Sequence, residues 1–254
     1  MAQIEMNALS VILCGSFSVR IFLPEMDKLA LDDAAHEKKY PVLWLLHDDG
    51  GAALDWLATP AEKLAAKYGI FIIAPDQHHS MCTNMKYGPR YEHFMATEFP
   101  AICRNNLPIS SDPKLNWIGG VGTGAYGAVK MALKHSDVFS KAVAIHGILD
   151  MEELCRKAAQ GEDTGTTQNL ASLKAVFGDP EAFHGSENDL YALAANKTAA
   201  SVLLVSDPMS SHHGESVRLA EVLGEAATVI PVEEDMEYIS CSRSLLEALK
   251  WLTK

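Results

Sequence analysis

Six uninterrupted apolar runs of strand length punctuate the chain: VLWLLH (42–47), IFIIAP (70–75), LNWIGGV (115–121), KAVAIH (141–146), ASVLLVS (200–206) and ATVIPV (227–232). A strand with one wet face alternates polar and apolar side chains. A run that stays apolar is buried on both faces, as in a parallel sheet covered by helices. Helical patterns lie between the runs: DWLATPAEKLAAKYG, YEHFMATEFPAICRNN, AYGAVKMALKH, ESVRLAEVLGEA and SRSLLEALKWL. Strand and helix alternate, which predicts an α/β fold with one doubly wound, mostly parallel sheet and helices on both faces. Two shorter runs, LSVIL and FSVRIFLP, split by Cys14-Gly15-Ser16, read as a hairpin at the sheet edge. Residues 147–200 break the rhythm. They are polar and glycine-containing with one clear helix, SENDLYALAANK, and read as an insert or cap over the carboxyl edge of a single domain spanning 1–254.

The 254 residues are 48% hydrophobic and 21% charged, enough apolar material for one large core. A formal net charge of −12 argues against nucleic acid or an anionic membrane as partner, since both would be repelled. The five cysteines are odd in number and show no C-x-x-C spacing, as expected of reduced thiols. The first residues lack a basic segment followed by an apolar one, and no apolar run nears the roughly eighteen residues of a membrane span. A cytoplasmic protein is expected. Trp56, Phe94 and Trp251 sit on helical stripes and are expected in the core.

The stretch NWIGGVGTGAYGAVKMAL (116–133) spells a strand, a glycine-rich turn and an Ala-rich helix. Such an elbow presents a nucleophile in many hydrolases. Here its centre reads Gly120-Val121-Gly122-Thr123-Gly124, with no hydroxyl at the apex.

With the elbow placed, the chain resembles the esterase D and feruloyl esterase branch of the α/β-hydrolases, which includes tributyrin esterases and S-formylglutathione hydrolase. The likeness runs from about Ser10 to Leu252. YPVLWLLHDDGGAALDWL is similar to that family's third strand and oxyanion loop. IIAPDQHHSMCTNMKYGPRYEHFMATEFPAICRNNLPIS resembles its fourth strand and following helix, FGDPEAFHGSENDLYALA its insert, and GAYGAVKMAL the helix after the nucleophile. The resemblance implies an α/β-hydrolase fold and carboxylic ester hydrolysis by serine, histidine and carboxylate, with backbone N–H groups for the oxyanion.

Residue by residue, the implied chemistry is interrupted. The serine position falls on Gly122, and the histidine position, within PVEEDMEYISCSRSL, falls on Glu234, with Asp235, Glu237 and Tyr238 in step. A carboxylate with an ordinary pKa of about 4.3 is a far weaker base than imidazole toward an alcohol. The orienting carboxylate falls on Ser210, or on Asp207 if the loop is shifted. Where the family has HGGGG this chain has His47-Asp48-Asp49-Gly50-Gly51. A carboxylate there opposes the charge that an oxyanion hole exists to bind; alternatively, Asp48 or Asp49 caps the helix near Leu54.

The expected function is a non-catalytic ligand-binding or regulatory protein of this fold, with a pocket formed by His47, Asp48, Asp49 and Thr123 that takes a small-molecule or ester-like ligand. A second reading keeps ester hydrolysis by Thr123, or by a zinc or similar divalent ion held by His78, His79, His146, His212 or His213, all at or near the carboxyl ends of strands. Asp76 and Cys82 fall on the same side. No H-x-H or H-E-x-x-H spacing fixes a metal geometry, and no cofactor is expected on the first reading. A third reading is a structural subunit that pairs with an active relative; a homo-oligomer is also open.

Overall fold

The computed structural model describes residues 2–25, 38–196, 198–234 and 241–254. Eight strands, β1 (Gln3–Ser10), β2 (Gly15–Phe22), β3 (Val42–Leu46), β4 (Phe71–Pro75), β5 (Asn116–Val121), β6 (Lys141–Ile145), β7 (Ser201–Ser206) and β8 (Ala227–Pro231), form one sheet in the order β1-β2-β4-β3-β5-β6-β7-β8. From β4 through β8 every pairing is parallel; β1 and β2 join antiparallel at one edge. This is the α/β-hydrolase fold.

The central strands are apolar throughout because each face has its own core. Val42, Trp44 and Leu46 of β3 enter one cluster while Leu43 and Leu45 enter the other, as the two-residue period of a strand dictates. The outermost strand departs from this expectation. Among the described residues β8 pairs only with β7, and it leaves Val229 38% exposed.

The longer α-helices are α1 (Ala61–Tyr68), α2 (Phe99–Asn106, entered through a helical turn at Tyr91–His93 and a π-helical stretch at Phe94–Glu98), α3 (Thr123–Lys134), α4 (Met151–Gln160), α5 (Leu170–Phe177), α6 (Leu190–Ala194), α7 (His213–Leu223) and α8 (Ser242–Leu252). α3 is the central one, buried from Thr123 through Ala132. Trp56 and Phe94 are buried as expected, while Trp251 is only partly covered.

Three local expectations are corrected. The first strand ends at Ser10, so Val11–Leu13 form the turn: the Glu98 carboxylate accepts the N–H groups of Val11 (2.8 Å) and Ile12 (3.1 Å), withdrawing them from the sheet. The helix expected over DWLATPAEKLAAKYG is two pieces, a 3-10 turn (Ala53–Ala58) and α1, because Pro60 holds Thr59 extended. Residues 147–200 contain three helices rather than one. Their starts were written in the sequence as Asp150, Asn169 and Asp189, whose side chains accept N–H groups of the first turn. No helix among the described residues is long and apolar enough to cross a membrane. All five cysteines are free thiols.

Candidate functional site

β5 runs into α3 through Gly122, which adopts φ 57° and ψ −120°. Side chains are strained in that region and glycine is not. Gly124, the second residue of the helix, lets α3 settle on the end of β3: a Cβ there would lie less than 3.0 Å from the His47 carbonyl. A Cβ on Gly122 would fall on the Asp48 carboxylate, less than 3.0 Å from Cγ and both oxygens. The space that a side chain at the apex would use is taken by Asp48.

Asp48 reaches this point from the loop after β3. Its Oδ1 accepts the backbone N–H of Thr123 (2.7 Å), the backbone N–H of Asp49 (2.7 Å) and the Thr123 hydroxyl (3.1 Å). Burial pushes its carboxyl above the ordinary carboxylate value, against the lowering effect of these donors. The helix-capping alternative for the two aspartates is overturned. At the turn near Leu54 the N–H groups of Ala52 and Ala53 are taken by Asp55 (2.8 Å) and Asp76 (2.6 Å). Asp49 instead turns outward to the 147–200 segment. It accepts the N–H (3.0 Å) and hydroxyl of Thr167 and the side-chain amide of Gln168 (2.5 Å), and bonds His79 Nδ1 (2.7 Å). Burial raises the Asp49 carboxyl, but these bonds outweigh it and leave it lowered.

Thr123 is 2% exposed and its hydroxyl is spent on Asp48, so it faces the loop and not open space. His47 is equally committed. Its Nδ1–H donates to the Asp48 carbonyl (2.7 Å) and its Nε2 accepts the Gln77 N–H (3.0 Å), a neutral arrangement that burial reinforces by lowering its pKa.

The five candidate metal histidines lie near one sheet edge but are not brought together, and four of the rings are each hydrogen-bonded to a different neighbour. His79 bonds Asp49, His146 Nε2 bonds Ser244 Oγ (2.8 Å), His212 Nδ1 bonds Glu215 Oε1 (2.7 Å) and His213 Nδ1 bonds Ser206 Oγ (2.8 Å). His78 lies edge-on to Tyr91, with centroids 6.2 Å apart. Among the described residues, three metal-ligating groups converge only at Glu152, His184 and Asp189, in the 147–200 segment, and two of these are exposed.

A cleft of about 520 Å³ opens at the elbow, and the three implied triad positions all border it: Gly122, Glu234, and both Asp207 and Ser210. His146, His212 and Gly165 line it as well. Glu234 is bound to the start of the last helix. Its Oε1 accepts the Arg243 N–H (2.7 Å), and its Oε2 accepts the Ser244 hydroxyl (2.6 Å) and lies 3.5 Å from His146 Nε2. Asp207 and Ser210 both turn onto their own loop, accepting the N–H groups of Met209 (2.8 Å) and His212 (3.2 Å). Asp235, Glu237 and Tyr238 lie outside the described residues. Sequence reasoning missed Ser244, which links His146 to Glu234; its only signal was its place in the first turn of an amphipathic helix. It also missed Thr167 and Gln168, more than a hundred residues from the aspartate they hold.

Residues 10–234 match the family model described as Putative esterase. The chain belongs to that family. An acetyl esterase of Caldicellulosiruptor saccharolyticus is 26% identical over 197 residues, 76% of this chain and 73% of that protein. Among solved structures, the fluorophosphonate-binding serine hydrolase F of Staphylococcus aureus superposes with a TM-score of 0.84 at 23% identity, over 100% of this chain and 98% of that one. The S-formylglutathione hydrolase of Staphylococcus aureus matches equally, covering 99% of its chain. A ferulic acid esterase superposes at 0.73 with 19% identity, over 99% and 97% of the two chains. The chain thus carries the α/β-hydrolase fold of these structures and resembles carboxylesterase-type hydrolases in sequence.

Proposed function

We propose that this esterase-family chain is a non-catalytic member: a ligand-binding or regulatory protein that keeps the hydrolase scaffold and its cleft without Ser-His-Asp chemistry. The observation that carries this reading is Gly122 at the elbow apex, which has no atom able to attack a carbonyl. Two others support it. Glu234, at the position where the family resemblance implies histidine, spends both carboxylate oxygens on the last helix. Thr123, the nearest hydroxyl, is buried against Asp48. Loss of the serine or the histidine alone costs on the order of 10^6 in turnover in a serine protease, because the triad works as a unit. Both positions are changed here.

The cleft bordered by Gly122, His146 and Glu234 is of a size for a small molecule. An ester-like ligand is the class that the relatives' names suggest. We take residues 147–200 as an insert over this edge of a single domain, in keeping with the Asp49 bonds to Thr167 and Gln168 and with Gly165 at the cleft. Free thiols fit the cytoplasm. Hydrolysis of p-nitrophenyl acetate and butyrate by purified protein tests the reading, after chelation and again after adding zinc. Turnover at background in every sample is expected. Metal-independent turnover overturns the reading, and zinc-dependent turnover replaces it with metal-hydroxide chemistry.

A further inference from the structure

We infer that Asp48 and Gly122 are one replaced unit: the Asp48 carboxylate is an internal anion seated in the backbone donor pair of the elbow, closing it to an incoming carbonyl oxygen. The inference deepens the non-catalytic reading and rests on it for its functional meaning, but its structural content stands separately. Two N–H groups from different segments, Thr123 at the start of α3 and Asp49 after β3, converge on Oδ1 at 2.7 Å each. Convergent donors at this distance, one from the N-terminus of a twelve-residue helix, are the geometry by which proteins hold an oxyanion. Here the anion comes from the chain itself.

The volume argument is independent of the donors. Any side chain at residue 122 begins with a Cβ, and that atom would overlap Cγ, Oδ1 and Oδ2 of Asp48 together. Overlap with a carboxylate that is held by three hydrogen bonds is not relieved by swinging a loose chain end, because moving it strips Thr123 and Asp49 of their acceptor. A side chain at 122 and a carboxylate at 48 therefore exclude each other. A ligand carbonyl or anion that approaches the elbow meets a filled donor pair and a like charge.

The test is a thermal-melting cycle on the full chain with Gly122→Ser, Asp48→Gly and the double variant. Gly122→Ser in the presence of Asp48 is expected to lower the melting temperature by about 5–10 °C, and the same change beside Asp48→Gly by clearly less, what remains being the strain that any side chain meets at φ 57°. Asp48→Asn, which keeps the volume and loses the charge, should not rescue Gly122→Ser. If Gly122→Ser does not accumulate as folded protein, Gly122→Ala takes its place in the cycle. Additive shifts, or rescue by Asp48→Asn, overturn the inference. Ester turnover by the wild-type chain would overturn the non-catalytic reading and leave this cycle unchanged, so the two failures are told apart.

Discussion

Helix α3 meets a buried carboxylate in two places, and the two are held in opposite ways. Against the C-terminal half of the helix, Glu92 faces Lys130 (3.1 Å), Lys134 (2.7 Å) and His135 (3.3 Å). Burial raises its carboxyl, but these partners prevail and hold it well below the carboxylate range. At the N-terminus of the same helix, Asp48 is met by two backbone N–H groups and a hydroxyl, and burial prevails. At Asp48 the three donors do not offset the cost of desolvating the carboxylate, whereas at Glu92 the facing cations do.

Removing the charge of Glu92 is the strongest way to break this contrast. Glu92→Gln leaves Lys130, fully buried, without its counter-charge, and should cost about 3–5 kcal/mol by urea unfolding at neutral pH. Because the folded pKa of Glu92 is depressed, its contribution is in place above about pH 4.3 and is lost as the pH falls toward the folded value. The variant should therefore flatten the acid limb of the stability curve. A cost below about 1 kcal/mol would show that the pair is not what distinguishes the two ends.

Gly122→Ser comes next, at about 1–3 kcal/mol of destabilisation from overlap with Asp48. No esterase activity should return with it. Glu234→Ala uncaps Arg243 and Ser244 at the start of α8 and should cost about 1 kcal/mol.

The smallest effect is the sharpest. Asp48→Asn keeps an acceptor for Thr123 and Asp49 but removes the desolvated charge, so at neutral pH it should be neutral or stabilising by up to about 1 kcal/mol. The sign with pH is the reverse of that for Glu92. A raised folded pKa means that the penalty of Asp48 is absent below about pH 3.9 and grows as the pH rises through the folded value. The advantage of the variant should grow with pH over the same window. A clear loss at neutral pH would mean that the charge itself holds the elbow.

The sheet was legible because burial on two faces leaves an uninterrupted apolar run, so β3 through β7 stand where the pattern put them. Its limits were the turn after Ser10, set by the distant Glu98, and the edge position of β8, set by the order of the strands in the sheet. The elbow was legible from its glycines. The histidines misled, since proximity to one sheet edge says nothing about where a ring turns. His146 went to Ser244, 98 residues away, and His79 to Asp49.

By itself, the sequence determined the fold and the absence of a hydroxyl at residue 122, because apolar periodicity and residue identity are properties of the chain. Only the tertiary structure decided what filled that place. Asp48 and Gly122 are 74 positions apart, and nothing local to either says that one carboxylate oxygen meets the N–H of Thr123. That contact exists because β3 and β5 are neighbours in the sheet and end at the same height, which brings the loop after one over the helix start after the other.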